Sequence, residues 1–145
     1  DLTDPSWFLG ELKREVPIVA SAMDSVVDVN TAVELTKLGA LGVINMEGIQ
    51  TRYKNPDEIL NQIASVGKND FVPLMQEIYS EPVKEELILQ RINEVKDRGG
   101  IAAFSGTPQA AIKFKETLNN SQIDLFFLHN HSLLPFRQIF YARLY

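Results

Sequence analysis

The sequence contains no cysteine, and this absence excludes several kinds of chemistry. Among its 145 residues there can be no disulfide, no thiolate zinc ligand and no thiol nucleophile. No apolar run is long enough to cross a bilayer, and the acidic first residues lack the basic and apolar parts of a secretory signal. Basic residues are scattered and outnumbered, 14 against 19 acidic ones. We therefore expect a cytoplasmic globular domain with no membrane contact and no nucleic-acid partner.

Four short apolar segments predict buried strands, and the segments between them predict helices. The first strand lies in "PIVASAMDSV", where apolar residues 18–20 give way abruptly to polar ones at 21–25. Helix starts are marked by capping residues or by proline at the first position, and glycine marks several helix ends. The predicted strands are 18–20, 41–45, 101–104 and 123–128. The predicted helices are 29–38, 56–66, 70–79, 83 to about 98, and one starting at 107–108.

This alternation predicts an α/β fold. Strands separated by helices run parallel, because each crossover returns the chain to the same end of the sheet. The loops after the carboxyl ends of such strands form the working face of the fold. We therefore expect four polar loops to lie on one side of the sheet. They are residues 21–25, 45–53, 105–107 and 129–131.

The residues in these strands and loops resemble a known family. "PIVASAMDSV", followed by "LGALGVINMEGIQTRY", is similar to the opening of the IMP dehydrogenase and GMP reductase family of (β/α)8 barrels, and closest to its shorter bacterial branch. The resemblance continues through "NPDEILNQIA" and "VKEELILQRINEVKDRGGIAAFSGTPQ" to "IDLFF". It implies that residues 1–127 form the amino-terminal half of such a barrel, a partial TIM barrel of about four β/α units. Residues 128–145 form a divergent tail.

The resemblance also implies a function. The family exchanges a hydride between C2 of a purine nucleotide and a nicotinamide cofactor, so NAD or NADP is the implied cofactor and a purine nucleotide the implied partner. Ser21 and Met23 match positions that contact the nucleotide, and Asp24 is expected to hold the loop or a nearby helix end. Longer family members carry a regulatory insertion between the second and third strands, where only two helices are predicted here.

Two departures from the family limit the expected activity. The family uses a cysteine after the sixth strand, and glycine-rich phosphate loops beyond it, whereas this chain has neither. A barrel of this kind takes about 250 residues. The fourth strand of longer members ends in an aspartate near the cofactor, and His129 stands at that position. We therefore expect a fragment that is inactive alone and does not hold the cofactor unaided; a truncation or a shifted reading frame would produce the tail.

Two alternatives remain open. The first is a non-catalytic interaction module that associates, for example as a homo-oligomer, through the open sheet edges of a half-barrel. The second is a different small α/β enzyme with a triad made from Ser21, Glu47 and His129.

Other residues have both a functional and an ordinary interpretation. His129 and His131 suggest a metal site, but no nearby carboxylate completes a ligand set, so we expect no metal. Glu47 and Arg52 are a possible acid and phosphate ligand, or simply solvated charges. "SGTPQ" at 105–109 could bind an anion, or only begin a helix. For the tail, residues 133–145 predict a helix that covers apolar surface, in preference to a membrane-surface helix.

Overall fold

The structure, a computed structural model, describes residues 3–129 and the backbone of residues 139–142. No helix in these ranges is long and apolar enough to span a membrane. The strands are β1 (Trp7–Leu9), β2 (Leu12–Arg14), β3 (Val19–Ala20), β4 (Leu41–Gly42), β5 (Ile44–Asn45), β6 (Ala103–Gly106), β7 (Leu125–His129) and β8 (Ile139–Ala142). The helices are α1 (Val29–Lys37), α2 (Pro56–Ser65), α3 (Phe71–Ser80), α4 (Glu85–Asp97), α5 (Pro108–Lys113), α6 (Lys115–Asn119) and a 3-10 turn (Ile49–Thr51).

The parallel strands follow one another across the molecule in chain order. Residues 41–45 form one extended segment that changes partner at Val43: β4 pairs with β3, and β5 pairs with β6. β6 in turn pairs in parallel with β7. Consecutive neighbours of this kind are typical of a barrel, whereas a doubly wound sheet reverses its order at a switch point. The predicted parallel α/β arrangement is confirmed, and within the described residues the sheets are partial and do not close into a barrel.

Helices cover one face of the parallel strands and form the main core. Asp28 caps α1 as its sequence position predicts, because its Oδ1 accepts a hydrogen bond from the Thr31 N–H at 2.7 Å. α1 lies directly on the sheet: a Cβ added at Gly42 would lie 2.9 Å from Cα of Ala32. Burial of these apolar side chains supplies the main stabilisation of the fold. The largest fully buried side chains of this core are Ile44, Met46, Ile88, Ile92, Phe104, Leu118 and Phe126.

An antiparallel hairpin, β1–β2, covers the opposite face, and the sequence pattern did not reveal it. It turns at Gly10, whose φ of 62° favours glycine. Trp7 anchors the hairpin by donating from Nε1 to the Val16 carbonyl at 2.8 Å. The apolar hairpin residues pack against a second core cluster. This cluster contains Leu41, Val43, Ile101, Ala103 and Leu125.

β3 does not have the full burial predicted for the first strand. Ile18 is 55% exposed and Val19 is 48% exposed. β3 pairs only with β4 among the described residues, so its other edge has no strand beside it. The expectation that residues 18–20 form a buried strand was therefore wrong, because apolar composition alone does not show whether a strand is central or at an edge.

The tail also differs from the prediction. Residues 139–142 form β8, which pairs antiparallel with β7 from Phe126 opposite Ala142 to His129 opposite Ile139. The helix predicted over 133–145 is thus wrong at 139–142, and its remaining residues lie outside the described ranges. The unpaired backbone groups along β7 explain the outcome, since they stabilise a neighbouring strand and could not pair with a helix. Of the two open edges expected for a half-barrel, β7 is covered.

Candidate functional site

The strand registers bring three polar loops, those after β3, β5 and β6, to one edge of the sheet, which we call the carboxyl edge. Parallel strands end on the same side, so these loops emerge together, and β7 ends at the same edge with His129. The other residues of the fourth predicted loop, 130–131, lie outside the described residues. The last paired residues at this edge are Ala20 with Gly42, Asn45 with Ser105, and Gly106 with Leu128. The abrupt change in "PIVASAMDSV" from apolar to polar residues is thus the point where β3 reaches this edge.

Residues 21–27, the β3 loop, form a tight turn that presents two of the predicted site residues. The Met23 carbonyl accepts hydrogen bonds from the N–H groups of Val26 and Val27, at 2.9 and 3.0 Å. Met23 is 53% exposed, and Ser21 is also exposed. The Ser21 hydroxyl has no hydrogen-bond partner among the described residues. Both side chains are therefore accessible to a ligand, and their role in substrate binding stays a prediction.

Unlike Ser21 and Met23, Asp24 is partly buried, and its side chain joins the β3 loop to α3. Its Oδ2 accepts a hydrogen bond of 2.5 Å from the Tyr79 hydroxyl. Its Oδ1 is buried and has no hydrogen-bond partner within the described ranges. The carboxylate packs directly on Gly48, where an added Cβ would lie 2.6 Å from Cγ of Asp24. Burial, and then the hydrogen bond and the charge of Asp24, raise the pKa of Tyr79 well above its ordinary value.

Arg52 is held by the protein's own backbone. Its Nε donates to the Glu47 carbonyl at 3.0 Å. Its Nη1 donates to the carbonyls of Tyr79, at 3.2 Å, and Glu81. The guanidinium also lies over the Tyr79 ring, 5.5 Å from its centre. These contacts favour a structural role at the end of α3 over the phosphate-binding role considered from the sequence.

Glu47 links the loops that follow β5 and β6. Its carboxylate accepts hydrogen bonds from the Thr107 N–H at 2.7 Å and from the Thr107 hydroxyl at 3.2 Å. The same hydroxyl caps α5 by accepting from the Ala110 N–H at 3.2 Å. The helix start in "SGTPQ" therefore already has an anionic partner in the chain itself. This favours its ordinary interpretation as helix punctuation.

The triad alternative lacks its essential contact. A serine nucleophile needs a hydrogen bond to its base, and the Ser21 hydroxyl makes none with a described residue. Glu47 is bonded to Thr107, and His129 is the last residue of β7. His131, the second member of the suggested metal pair, lies outside the described residues. Within the described ranges no three His, Asp or Glu side chains come together as a metal site.

A large cleft lies in the helix layer, away from Ser21 and Met23. It measures about 690 Å³ and is lined mainly by charged side chains from α1, α4 and the start of α2. Ser21 and Met23 do not line it. Arg91 on its wall is occupied by the carbonyls of Gln50 and Lys54, at 2.9 and 2.8 Å. This cleft therefore lies apart from the carboxyl edge, where the polar loops converge.

Two residues of the carboxyl edge, Gly48 and Tyr79, were not found by sequence reasoning. Tyr79 is separated from Asp24 by 55 positions, and no local pattern indicates that they meet. Gly48 lies in the "NMEGIQTRY" loop, but a side chain is excluded there only because the Asp24 carboxylate packs against it. A glycine in the loop after a strand, here three residues beyond the end of β5, is a general sign of close packing, and it was the only such sign in the sequence.

Comparison with known proteins reveals related sequences, although no protein-family model matches the chain. An uncharacterized oxidoreductase of Mycolicibacterium smegmatis is 29% identical over 125 residues, which cover 83% of this chain and 33% of the relative. A Mycobacterium tuberculosis relative, also named an uncharacterized oxidoreductase, is 30% identical with the same coverage. Inosine-5'-monophosphate dehydrogenase of Methanocaldococcus jannaschii is 38% identical over 80 residues, covering 55% of this chain and 15% of that enzyme.

A solved structure has a similar fold. The crystal structure of an IMP dehydrogenase/GMP reductase-like protein from Corynebacterium glutamicum superimposes with a TM-score of 0.82 and 25% sequence identity. The match covers 90% of this chain and 36% of that one. The chain thus spans about a third of the length of the curated relatives that it matches over 125 residues. The resemblance inferred from the sequence motifs is confirmed in both sequence and fold.

Proposed function

Because the chain resembles IMP dehydrogenase/GMP reductase-like oxidoreductases in sequence and fold, we propose that it forms the first part of a purine-nucleotide site. Ser21 and Met23 are the residues that contact the nucleotide. A serine hydroxyl can donate to or accept from polar groups of the nucleotide, and a thioether packs adaptably against a planar base. The exposure of both side chains on one tight turn at the carboxyl edge is the observation that supports this role.

The complete reaction that we propose for the larger site is NAD(P)-dependent hydride transfer at purine C2. The described residues do not fit the cofactor by themselves: Arg52 donates to backbone carbonyls, and the start of α5 is taken by Glu47. A dinucleotide needs free donors or cations for its pyrophosphate. We therefore propose that groups other than these hold the cofactor.

The isolated 145-residue polypeptide should have no turnover. It contains no cysteine, so it cannot supply the thiolate that attacks the purine in the family it resembles. Its sheets do not enclose a substrate within the described residues. Assays with IMP plus NAD, and with GMP plus NADPH, should give no change in nicotinamide absorbance above a no-protein control. Turnover that survives repurification would contradict this proposal.

Nucleotide binding can be tested separately by calorimetric titration with IMP and GMP. Replacing Ser21 or Met23 by alanine should weaken binding about 3- to 10-fold, the range expected for one neutral hydrogen bond or a partly buried contact. Ser25→Ala is the matched control, because Ser25 is exposed on the same loop and its loss should not change the affinity. If the wild-type chain binds neither nucleotide at millimolar concentration, the proposed site is refuted. Equal weakening by Ser25→Ala would refute the roles of Ser21 and Met23.

A second candidate function is association through the edge of β3. Ile18 and Val19 are about half exposed there, and no described strand pairs with this edge. An unpaired apolar edge promotes pairing with another chain. Light scattering should then detect a dimer or larger species that Val19→Lys abolishes, while Leu38→Lys, at a residue 70% exposed on a different element, does not. A wild-type monomer at high concentration would exclude this candidate.

A further inference from the structure

The helix pair α2–α3 touches the carboxyl edge although it contributes little to the core. α2 has no buried residue, and Ile78 is the only buried residue of α3. Apolar burial therefore does little to set the position of this pair. Specific polar contacts at the end of α3 hold it in place instead. They converge on Tyr79.

The last turn of α3 is fixed by two side chains from the segment after the 3-10 turn. The Tyr53 hydroxyl donates to the Ile78 carbonyl at 2.9 Å. Arg52 donates to the carbonyls of Tyr79 and Glu81 and lies over the Tyr79 ring. Tyr79 is thus held from its backbone and from its ring face, so its hydroxyl has a defined position next to the β3 loop.

Asp24 depends on that hydroxyl. Within the described residues, Tyr79 donates the one hydrogen bond that the Asp24 carboxylate accepts, since Oδ1 has no partner there. A partly buried carboxylate that loses its hydrogen bond is strongly destabilised unless it turns to water. Gly48 packs against the carboxylate and blocks its movement on one side. Loss of the hydroxyl would therefore shift Asp24 together with the loop that carries it.

We infer that Tyr79 is a positioning residue, which holds the β3 loop in the conformation that presents Ser21 and Met23. Its hydroxyl acts through Asp24, which lies next to Met23 in the chain. Its effect on nucleotide binding rests on the function proposed above, whereas its effect on the loop does not. The two effects can be measured separately on the same variants.

The test compares Tyr79→Phe with Thr117→Val in the full 145-residue chain. Each variant removes one hydroxyl that donates to a carboxylate, but the Thr117 hydroxyl donates to Glu85 at 3.0 Å, and neither of these residues lies in α3 or in the β3 loop. Hydrogen exchange followed by mass spectrometry reports the opening of the loop amides, including the N–H groups of Val26 and Val27. Tyr79→Phe should accelerate exchange in peptides covering 21–27 about 10-fold, and Thr117→Val should leave them within about 2-fold of wild type. Tyr79→Phe should also weaken IMP or GMP binding about 3- to 10-fold.

The outcomes separate the inference from the proposed function. Unchanged loop exchange in Tyr79→Phe would overturn the positioning role, as would equal acceleration in both variants. If the wild type binds nucleotide and Tyr79→Phe binds it equally well, the link to binding is overturned. If the wild type binds no nucleotide, the proposed function fails, while accelerated exchange confined to Tyr79→Phe still establishes that Tyr79 holds the loop.

Discussion

Replacing Gly48 by alanine should destabilise the protein through a steric conflict with Asp24. Gly48 has an extended backbone, with φ −94° and ψ −166°, which alanine adopts without strain. The added Cβ would lie 2.6 Å from Cγ and 2.7 Å from Oδ2 of Asp24, closer than atoms can pack. Backbone conformation therefore contributes nothing to the predicted cost. All of it arises from moving the carboxylate.

The magnitude follows from what that movement breaks. Displacing Asp24 removes its hydrogen bond to Tyr79, and a hydrogen bond to a charged group contributes about 1.5–3 kcal/mol. Forcing an extra methyl into a packed site costs about 1–3 kcal/mol, and the two terms overlap because the same side chain moves. We expect a loss of about 2–4 kcal/mol in the free energy of unfolding. This is a large part of the ~5–15 kcal/mol typical of a domain.

Urea unfolding followed by circular dichroism measures this loss. With a slope of about 2 kcal/mol per molar urea, the unfolding midpoint of Gly48→Ala should fall by roughly 1–2 M. Gly67→Ala is the matched control, because the nearest atom to its added Cβ is Oδ2 of Asp70 at 3.9 Å, an ordinary contact. The free energy of unfolding of Gly67→Ala should differ from that of wild type by less than about 0.5 kcal/mol. Equal stability of Gly48→Ala and wild type would refute the reasoning. So would a double variant, Gly48→Ala with Tyr79→Phe, whose loss of unfolding free energy equals the sum of the two single losses, because both changes should break the same hydrogen bond.

Two further predictions concern Arg91 and the tyrosines. Arg91 is 6% exposed and donates to three backbone carbonyls, so Arg91→Met should lower the free energy of unfolding by about 3–5 kcal/mol. Arg98→Met, at an exposed arginine, should lower it by less than about 1 kcal/mol. Equal losses for the two variants in urea unfolding would contradict this prediction. The pKa values of Tyr53 and Tyr79 are raised, in both cases chiefly by burial, so the folded state keeps protons that the unfolded state releases above about pH 10. The contribution of these protons to stability is complete below that pH and is lost as the pH rises further. The free energy of unfolding of wild type, measured in urea, should therefore fall more than that of Tyr79→Phe between neutral and strongly alkaline pH. Equal decreases in the two proteins would show that Tyr79 does not contribute.

Local signals in the sequence predicted the helices well. Asp28 caps α1, Pro56 stands at the first position of α2, and Gly39 follows the end of α1 with φ of 82°. Each of these signals acts over a few neighbouring residues, so it does not depend on how the rest of the chain packs. The helix predicted from Thr107 is correct in its start but is interrupted at Phe114, where α5 ends and α6 begins.

The parts that could not be predicted depend on contacts between distant residues. The exposure of Val19 depends on which strands stand beside β3, and β8 forms because β7 offers an unpaired edge. In the candidate site, motif resemblance led to Ser21 and Met23, but the partner of Asp24 lies on a helix 55 positions away. Such partners follow from the packing of whole elements, which a single sequence does not display.

The pairing of residues 139–142 with β7 has a consequence for how this sheet can grow. β8 runs antiparallel and occupies the row of backbone donors and acceptors that a fifth parallel strand would need. Any such strand, from whatever source, must compete for that row. Closing these strands into a barrel would therefore begin with a strand exchange. Its barrier is the cost of breaking the β7–β8 hydrogen bonds before another strand can pair with β7.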